Sequence, residues 1–546
     1  MSATTTLPLS EEETQRSGVL LGRRWRRAVP VLLSVGGLLV IWLLASFLTP
    51  LVPSPMSVIE QLFADASYYP VNIAVTMSSA AQGYLWGNGI AIALALLTLP
   101  FPPLQALLER IAVGAIALPL IAVAPILAIA FAGNIPSVIL AAQAVVFTTL
   151  VSCILGLSNV DQSALDLVHS AGGSKWTAIW KVRLPAAIPS FVVGLQIAAP
   201  SAILGAIIGE YMGGSRGLGV AMIQAQGAFD IPRAWALAIV TSALAAIAFL
   251  VIPWIVKLTM PWVGQTSSNI SPRALSRRRR LPWPLATLRT LTSVAGTIVV
   301  VFAVWWLMAK IVPGGQAVAR GPFEVVAYLS DPELLSVSPT GQSQTAWESM
   351  LTALGQTAID AGVGFVAGTV LSVLMAVVVY ESRTVEALIM PVSIVLRSVP
   401  IVAAMPLLAL LFGRGILAVT VLITLMTFFP TLVNLLLAMR SAPTGAVDLF
   451  TASGASRWQR LSKLLLPYAL PALFASIKIA LPLSVGAAMV AEWLATGSGL
   501  GAAMTVAATM SDYYFVWGGV AAVLLISLLL YQLASYGERK ISARLA

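Results

Sequence analysis

Charged residues are scarce in this sequence. They make up 10% of its 546 residues, against about 25% in an ordinary soluble domain, whereas 59% of the residues are hydrophobic. A soluble chain of this length needs a polar shell, but a bilayer accepts helices that are apolar on every side. The composition therefore argues against a soluble protein and predicts a chain whose main solvent is lipid.

Cysteine and histidine each occur once, as Cys153 and His169. A single cysteine excludes a disulfide framework within the chain, and most nucleophilic triads and zinc sites need a well-placed imidazole. The phosphate cradle G-x-x-x-x-G-K-[ST] of an ATPase is missing from the sequence as well. We therefore expect no catalytic residues, no metal site and no cofactor bound by this chain.

The net charge of +10 comes from basic clusters that lie beside apolar runs. Arg23, Arg24, Arg26 and Arg27 precede the first apolar run, and the arginines at 277–280 lie between two others. The positive-inside rule predicts this distribution for the cytoplasmic flanks of membrane helices. It disfavours nucleic acid as a partner and favours a lipid bilayer.

Twelve apolar runs are long enough to cross a membrane, which takes about 20 residues in a helix. We expect an all-α integral membrane protein with 12 transmembrane helices, located in the cell membrane. The runs are 29–51, 72–98, 105–132, 135–157, 186–210, 234–258, 291–312, 357–379, 386–412, 415–438, 468–490 and 515–537.

Each half has an even number of spans. If the N-terminus is cytoplasmic, the chain therefore returns to the cytoplasm between the halves and again at its C-terminus. The charges agree, because the segments then placed outside hold few basic residues, namely Arg216, Arg233, Arg320 and Arg414. The expected parts are a cytoplasmic N-terminal tail (1–28), a first six-helix repeat (29–264), a basic cytoplasmic linker (265–290) and a second six-helix repeat (291–546).

The second half of the sequence repeats the first. Since each half holds an even number of spans, both halves run the same way through the membrane, and an axis along the membrane normal relates them. Pairs at one constant offset in the numbering include Asp166 with Asp448, Gly172 with Gly454, Trp176 with Trp458, Pro185 with Pro467 and Glu210 with Glu492; upstream, Thr76 with Thr357 and Gly83 with Gly364 share an offset that is shorter by one.

A polar loop follows the fourth span of each half and carries the clearest part of the repeat. Each loop predicts a short amphipathic helix, a glycine turn, a second short helix, and a proline where the next span begins. We call each of these loops an elbow. A compact projection of this kind suits docking of a soluble partner. The first loop runs from Asp166 through Gly172 and Trp176 to Leu184 and Pro185, and the second from Asp448 through Gly454 and Trp458 to Leu466 and Pro467.

These loops resemble the cytoplasmic loop of the permease subunits of binding-protein-dependent ABC importers, which reads E-A-A-x-x-x-G, nine residues, then I-x-L-P. Asp166 and Asp448 stand where the family has its glutamate. The resemblance implies a type I ABC importer-like fold in which each loop forms a coupling helix that docks in a groove of an ATPase. It also implies two ABC ATPase subunits, which bind the ATP, and an extracytoplasmic solute-binding protein.

Three further stretches resemble the nitrate, sulfonate and taurine group of these permeases. The resemblance implies a small organic or inorganic anion as the solute, with a neutral pyrimidine-type solute as an alternative. The stretches are Arg397-Ser-Val-Pro400 through Pro406 with Phe412-Gly413, Glu210 through Gly217-Leu-Gly219, and Glu492 through Gly499-Leu-Gly501.

Charged and polar side chains inside the spans are candidates for a translocation pathway. A charge in hydrocarbon costs about 2.5 to 3.5 kcal/mol on insertion scales, so it tends to face a cavity or a partner. In one interpretation a cation faces the pathway and suits an anion. In the other, Asp360 pairs with Arg397 or Lys478, and the glutamates hold the G-L-G turns. The candidates are Asp360, Arg397, Lys478, Gln196, Glu210 and Glu492.

Two other classes of protein stay open at this point. A twelve-helix secondary transporter would also show a six-plus-six repeat, although the connections after the second span of each half lack the charged signature of the major facilitator type. A membrane enzyme is disfavoured by the scarcity of histidine. We expect the permease of an ATP-driven importer and not an enzyme.

Overall fold

A computed structural model describes residues 42–101, 120–158, 160–262, 319–331, 335–337, 343–382, 384–389 and 411–545, with scattered positions between 36 and 40, 104 and 108, 296 and 310, and 405 and 409. The described chain is helical except for its turns and one short antiparallel hairpin, in which Leu335–Val337 pairs with Ser343–Thr345. Within the described residues, this hairpin is the one departure from the all-α architecture expected from the sequence.

The first half has nine α-helices with described bounds. They are α1 (Pro55–Ala64), α2 (Tyr69–Leu97), α3 (Leu120–Ala130), α4 (Ile135–Ser158), α5 (Gln162–Ser170), α6 (Lys175–Ala178), α7 (Leu184–Gly213), α8 (Leu218–Gly227) and α9 (Ile231–Thr259).

The second half follows the same order. Its described helices are α10 (Pro322–Ser330), α11 (Ala346–Glu381), α12 (Ile416–Arg440), α13 (Thr444–Ala452), α14 (Arg457–Arg460), α15 (Leu466–Ala491), α16 (Gly499–Thr509) and α17 (Tyr513–Leu545).

Polar side chains set where several of these helices begin. The Ser57 N–H donates to the hydroxyl of Ser54 ahead of α1 (3.1 Å). The Arg233 N–H donates to the carboxylate of Asp230 ahead of α9 (3.2 Å). Thr345 and Glu348 form a reciprocal capping box at the start of α11. Each cap satisfies a backbone donor that the first helical turn leaves free.

Among the described residues, eight helical segments are long and apolar enough to cross a membrane. They correspond to eight of the twelve predicted runs. The remaining runs, at 29–51, 105–132, 291–312 and 386–412, lie wholly or partly outside the described residues. The eight segments are Tyr69–Leu97, Ile135–Ser158, Lys175–Gly213, Ile231–Thr259, Ala346–Glu381, Ile416–Arg440, Arg457–Thr496 and Tyr513–Ile541.

Two tryptophan pairs place the first predicted span of each half against the last. Trp42 stacks on Trp235 with ring centroids 5.6 Å apart, and Trp305 stacks on Trp517 at 5.9 Å. Trp235 and Trp517 are equivalent positions of the repeat, at the same offset as the elbow residues. The two halves therefore use the same position of the last span for the same contact.

The long helix α7 runs between two distinct ends of the molecule. Helix α7 has 30 residues, of which Pro185 is the second, and Glu210 lies one turn before the other end. The two positions are therefore separated by roughly 38 Å at the rise of an α-helix. We call the end with the two polar loops the elbow end, and the end with Glu210 and Glu492 the clasp end.

Buried apolar residues are distributed differently at these two ends. At the clasp end, one cluster contains residues of both halves, including Ile207 with Val490 and Met504. Helix α3 of the first half packs there against α15, α16 and α17 of the second. Toward the elbow end, the described part of the chain has two clusters, one confined to each half, around Leu150 and around Phe428. Within the part of the chain that the structure describes, the core shared by the two halves thus lies at the clasp end.

Candidate functional site

The first elbow is a helix-turn-helix whose turn requires glycine. Helix α5 ends at Ser170, and Gly172 follows with a φ of +76°. The Gly173 N–H then donates to the Val168 carbonyl (2.8 Å), and Ser174 caps α6. A Cβ at Gly172 would meet no atom within 4 Å. A substitution there is therefore strained by the left-handed backbone and not by crowding.

The second elbow has the same geometry. Gly454 follows α13 with a φ of +72°, and the Ala455 N–H donates to the Phe450 carbonyl (3.0 Å). Ser456 caps α14 and forms a reciprocal capping box with Gln459. The turn hydrogen bond and the serine cap recur at equivalent positions, and the reciprocal glutamine contact is an addition in the second elbow.

The elbow and the following span are one continuous helical rod, which differs from the expected separate short helix. A π-helical turn, Ile179–Arg183 in the first half and Leu461–Leu465 in the second, joins the short helix to the span. Pro185 and Pro467 are the second residues of α7 and α15, so one residue separates each proline from the π-helical turn. Proline cannot donate a helical hydrogen bond, and a wider turn ahead of it accommodates that loss.

The elbows leave apolar side chains exposed. Trp176 is 59% and Trp458 69% exposed, and Leu167 and Leu449 on the preceding helices are equally open. Asp166, Asp448 and Pro185 are also exposed, whereas Leu184, Leu466 and Pro467 are half-buried. Exposed aromatic and aliphatic side chains grouped on a compact projection are typical of a protein contact surface.

Each glutamate at the clasp end holds a glycine turn. The Gly219 N–H donates to Glu210 Oε2, and the Gly501 N–H donates to Glu492 Oε2, both at 2.8 Å. These carboxylates are 3% and 0% exposed. A Cβ at Gly217 would overlap the Glu210 carboxyl group, which explains why a glycine is required at that position.

A threonine completes each turn from a neighbouring span. The Leu218 N–H donates to Thr76 Oγ1, and the Leu500 N–H donates to Thr357 Oγ1, both at 2.9 Å. We call these units the Glu210 clasp (Glu210, Thr76 and residues 217–219) and the Glu492 clasp (Glu492, Thr357 and residues 499–501). The repeat in the sequence identified Thr76 and Thr357 as equivalent positions, but it did not indicate that they accept hydrogen bonds from the glycine turns.

The Glu210 clasp has one additional link. The Gly217 N–H donates to Asn72 Oδ1 (3.1 Å), and the Asn72 amide donates to the Tyr68 carbonyl (3.0 Å). The equivalent position in the second half is Ala353, which has no side-chain acceptor. The first clasp is thus held at three points and the second at two.

Two of the charged candidates, Asp360 and Lys478, have separate partners. Asp360 is buried on α11, and its Oδ1 accepts from Gln356 Nε2 (3.2 Å). Lys478 Nζ on α15 lies 2.7 Å from Glu538 Oε2 on α17. The predicted alternative of an Asp360–Lys478 pair is therefore wrong. Gln196 is half-buried on α7, and Arg397 lies outside the described residues.

Glu538 was missed from the sequence because the last predicted span, 515–537, ends just before it. Helix α17 continues past that point to Leu545. The Lys478 ammonium also lies 5.8 Å from the centroid of the Tyr531 ring, so one face of α17 supplies both contacts.

An ion pair joins two elements of the first half at the clasp end. Arg233, at the start of α9, donates from Nε and Nη2 to both carboxylate oxygens of Asp65 at 2.7 and 2.8 Å. Asp65 lies directly after α1. The hydrogen bond from the Arg233 guanidinium lowers the pKa of Asp65, while burial of the carboxylate opposes that shift. The second half has Phe515 in place of Arg233.

One aromatic contact joins the two clasps. The rings of Tyr211 and Trp493, the residues directly after the two glutamates, meet edge to face with centroids 5.9 Å apart. The repeat offset relates the two positions, but sequence reasoning did not single them out.

The family model described as "Binding-protein-dependent transport system inner membrane component" matches the chain twice, over residues 87–264 and 368–543. The starts of the two matches, at Gly87 and Gly368, are separated by the same offset as Thr76 and Thr357. A single copy of the family's conserved region therefore corresponds to one half of this chain.

Curated relatives are similar to parts of this chain. A probable ABC transporter permease protein of Haemophilus influenzae is 34% identical over 234 residues, which cover 42% of this chain and 96% of the relative. The riboflavin transport system permease protein RibX of Chloroflexus aurantiacus is 37% identical over 29% of this chain and 59% of its own length. The taurine transport system permease protein TauC of Escherichia coli is 28% identical over 48% of this chain and 92% of its own.

Proposed function

We propose that this chain, which belongs to the family of binding-protein-dependent transport system inner membrane components, carries both halves of an importer's membrane pathway in one polypeptide. The chain is an ABC importer permease and a multi-pass inner-membrane protein. The observation that carries the proposal is the double family match, since each match lies within one half. The secondary transporter is the less favoured alternative.

The proposed topology has twelve helices in two parallel six-helix repeats, with the elbow end and both termini in the cytoplasm. Eight of the twelve expected spans have counterparts among the described helices. The stacking of Trp42 on Trp235 and of Trp305 on Trp517 supports a first helix in each repeat. The elbow helices carry basic residues, as cytoplasmic flanks do. The proposed repeats span 29–264 and 291–546, with a tail at 1–28 and a linker at 265–290.

Each elbow is proposed to dock with one ABC ATPase subunit, which binds the ATP. The exposed Trp176 and Trp458 supply an apolar contact, and the glycine turns present it in one defined geometry. Because each elbow continues into a membrane span as one rod, a displacement of the docked ATPase acts directly on α7 or α15. The helix is therefore the mechanical link, and no residue of this chain needs to contact nucleotide.

The solute-binding protein is proposed to dock at the clasp end. The two halves differ there, because α10 is followed in the second half by the hairpin of Leu335–Val337 and Ser343–Thr345. A partner that binds both halves at once would meet an asymmetric surface and dock in one orientation.

A small anion is the proposed solute. Lys478 supplies a cation inside a span, and relatives named for taurine, aliphatic sulfonates and nitrate support this class. A neutral ring solute is the second candidate. The Lys478 charge is already paired with Glu538, and other relatives are named for riboflavin and formylaminopyrimidine.

Reconstitution tests both levels of this proposal. The chain is purified with an ABC ATPase of the same organism and placed in liposomes with a solute-binding protein of that organism. ATP-dependent uptake is then measured with labelled taurine, nitrate and riboflavin. The proposal predicts uptake of taurine or nitrate. Riboflavin uptake alone would favour the neutral solute, and uptake that continues without nucleotide would contradict the importer function itself.

A further inference from the structure

Two residues at equivalent positions of the repeat touch each other. Tyr211 and Trp493 directly follow the repeat pair Glu210 and Glu492, and their rings meet edge to face at 5.9 Å. Under a twofold axis, equivalent residues lie at equal distances on opposite sides of that axis. They are in contact only when both lie beside it. This pair therefore marks where the pseudo-twofold axis, and with it a pathway between the halves, passes through the clasp end.

Both aromatic residues are held by the clasps. Tyr211 follows Glu210 on α7, and Trp493 follows Glu492 where α15 ends. Each glutamate is tied to a glycine turn and, through that turn, to a threonine on another span. The backbone that carries each ring therefore has little freedom to move independently of its own half. A change in the distance between the two backbones at Tyr211 and Trp493 therefore requires the halves to move relative to each other.

The packing around this pair is continuous across the halves. Tyr211 is 8% exposed, and its hydroxyl lies 3.8 Å from the sulfur of Met222. Tyr211 and the half-buried Trp493 belong to the cluster that both halves share. Toward the elbow end, the described residues form one separate cluster in each half. Among the described residues, the core that both halves share therefore lies at the level of the aromatic pair, and the clusters toward the elbow end are separate.

We propose that Tyr211 and Trp493 form the closure of the pathway at its outer end and separate each time the pathway opens outward. Glu210 and Glu492 are positioning residues that act through the glycine turns. The inference rests on the proposed function, because it takes the space between the halves as the route of the solute. In this proposal, the contact between the side chains of Tyr211 and Trp493 breaks when ATP-driven movement of the elbows opens the pathway outward.

Cross-linking tests the closure without knowledge of the solute. Cys153 is first replaced by alanine, and Tyr211→Cys is combined with Trp493→Cys. The purified complex of this chain with its ATPase is treated with a short bifunctional methanethiosulfonate. We expect efficient cross-linking without nucleotide and a yield lower by about tenfold after trapping with ATP and vanadate. We also expect the cross-linked complex to lose ATPase activity by a similar factor and to recover it with dithiothreitol.

A matched control pair lies within one half. Trp42→Cys with Trp235→Cys replaces two rings at a comparable separation, 5.6 Å, and both belong to the first repeat. This pair should cross-link equally with and without nucleotide, and the link should leave ATPase activity unchanged. Loss of activity in the control as well would overturn the assignment, since any cross-link would then inhibit.

The positioning role has its own readout. Glu492→Gln keeps an oxygen that can accept from the Gly501 N–H, whereas Glu492→Ala removes it. The alanine variant, combined with the cysteine pair, should cross-link several times less efficiently, and the glutamine variant should restore the yield. Equal yields in both variants would overturn the role of Glu492.

The outcomes separate this inference from the proposed function. If the chain does not assemble with an ATPase, the proposed function fails. If the complex assembles and hydrolyses ATP, but cross-linked Tyr211→Cys/Trp493→Cys is as active as the reduced form, the closure alone is wrong.

Discussion

The two halves of this molecule agree in their elbow turns and in the glutamate contacts of their clasps, and they differ along the spans and on the outer surface of the clasp end. Both elbows have the same glycine turn and the same cap, and both clasps join a buried glutamate to a glycine N–H at 2.8 Å. Along the spans, by contrast, Asp360 and Lys478 of the second half correspond to Ser79 and Gln196 of the first. A repeated structure suits a repeated partner, such as two ATPase subunits. A solute or a binding protein is present once, and the parts that meet it are free to diverge.

The largest effect is expected at the elbows, where the halves agree. Gly172→Val and Gly454→Val each force a β-branched residue into a left-handed backbone, a strain of about 1 to 3 kcal/mol that distorts the turn. Each variant should lower ATPase activity of the complex by about tenfold or more, with normal insertion in the membrane. Gly445→Ala is the control, because Gly445 lies within α13, has no positive φ, and has no atom near its Cβ position. If only one of the two valine variants lowered the ATPase activity, the result would contradict the functional equivalence of the two elbows.

The clasps should show a smaller effect that differs between the halves. Glu492→Ala leaves the buried Gly501 N–H without its acceptor, at a cost of about 1 to 3 kcal/mol in the free energy of unfolding. Glu210→Ala should cost less, because Asn72 still holds the turn at the Gly217 N–H. Thermal unfolding of the purified chain in detergent measures both. Adding Asn72→Ala to Glu210→Ala should remove the difference, and a larger loss for Glu210→Ala alone would contradict this account.

The Lys478–Glu538 pair should sharpen the contrast along the spans. Lys478→Met leaves the partly buried Glu538 without its cation, so the free energy of unfolding should fall by about 1 to 3 kcal/mol. Adding Glu538→Gln should restore most of that loss. The double variant then isolates the question of the solute. If it is stable but no longer imports the labelled anion, Lys478 serves the anion, whereas normal anion uptake assigns the pair a structural role alone.

The smallest effect is expected from Asp65 and Arg233, a pair confined to the first half. Because Arg233 is 38% exposed, solvent screening limits the pair to about 1 kcal/mol or less. The folded pKa of Asp65 is lowered. The stabilisation is therefore fully present above the ordinary pKa of an aspartate and is lost as the pH falls through the lowered value. Thermal unfolding between neutral and acidic pH should show a shallower dependence for Asp65→Asn, and an unchanged slope would contradict the role of the pair.

Much of this architecture could be predicted because it depends on local sequence. Apolar runs set the spans, and glycines at Gly172 and Gly454 set the elbow turns. The repeat offset placed Glu210 and Glu492 in equivalent surroundings. In each case the signal is a short run of residues whose conformational preference is strong and is repeated at a fixed distance along the chain.

Other features could not be predicted because they depend on which helix faces meet. The partner of Lys478 required the exact end of α17 and the direction of the Glu538 side chain. The contact of Tyr211 with Trp493 depends on how closely the halves approach, and hydropathy carries no information on that distance. The continuous helical segment from Lys175 to Gly213 was not predicted, because proline usually indicates the start of a helix and Pro185 was interpreted in that way. The sequence does not indicate the π-helical turn that lets the helix continue through this position.

The most direct test of the importer function is the composition and activity of the intact complex. The chain is purified from native membranes together with any ATPase that accompanies it, and the mass of the complex is determined. Our account predicts one copy of this chain with two ATPase subunits, and loss of both subunits when Gly172→Val and Gly454→Val are combined. A chain that purifies without ATPase while uptake persists after nucleotide depletion would contradict it.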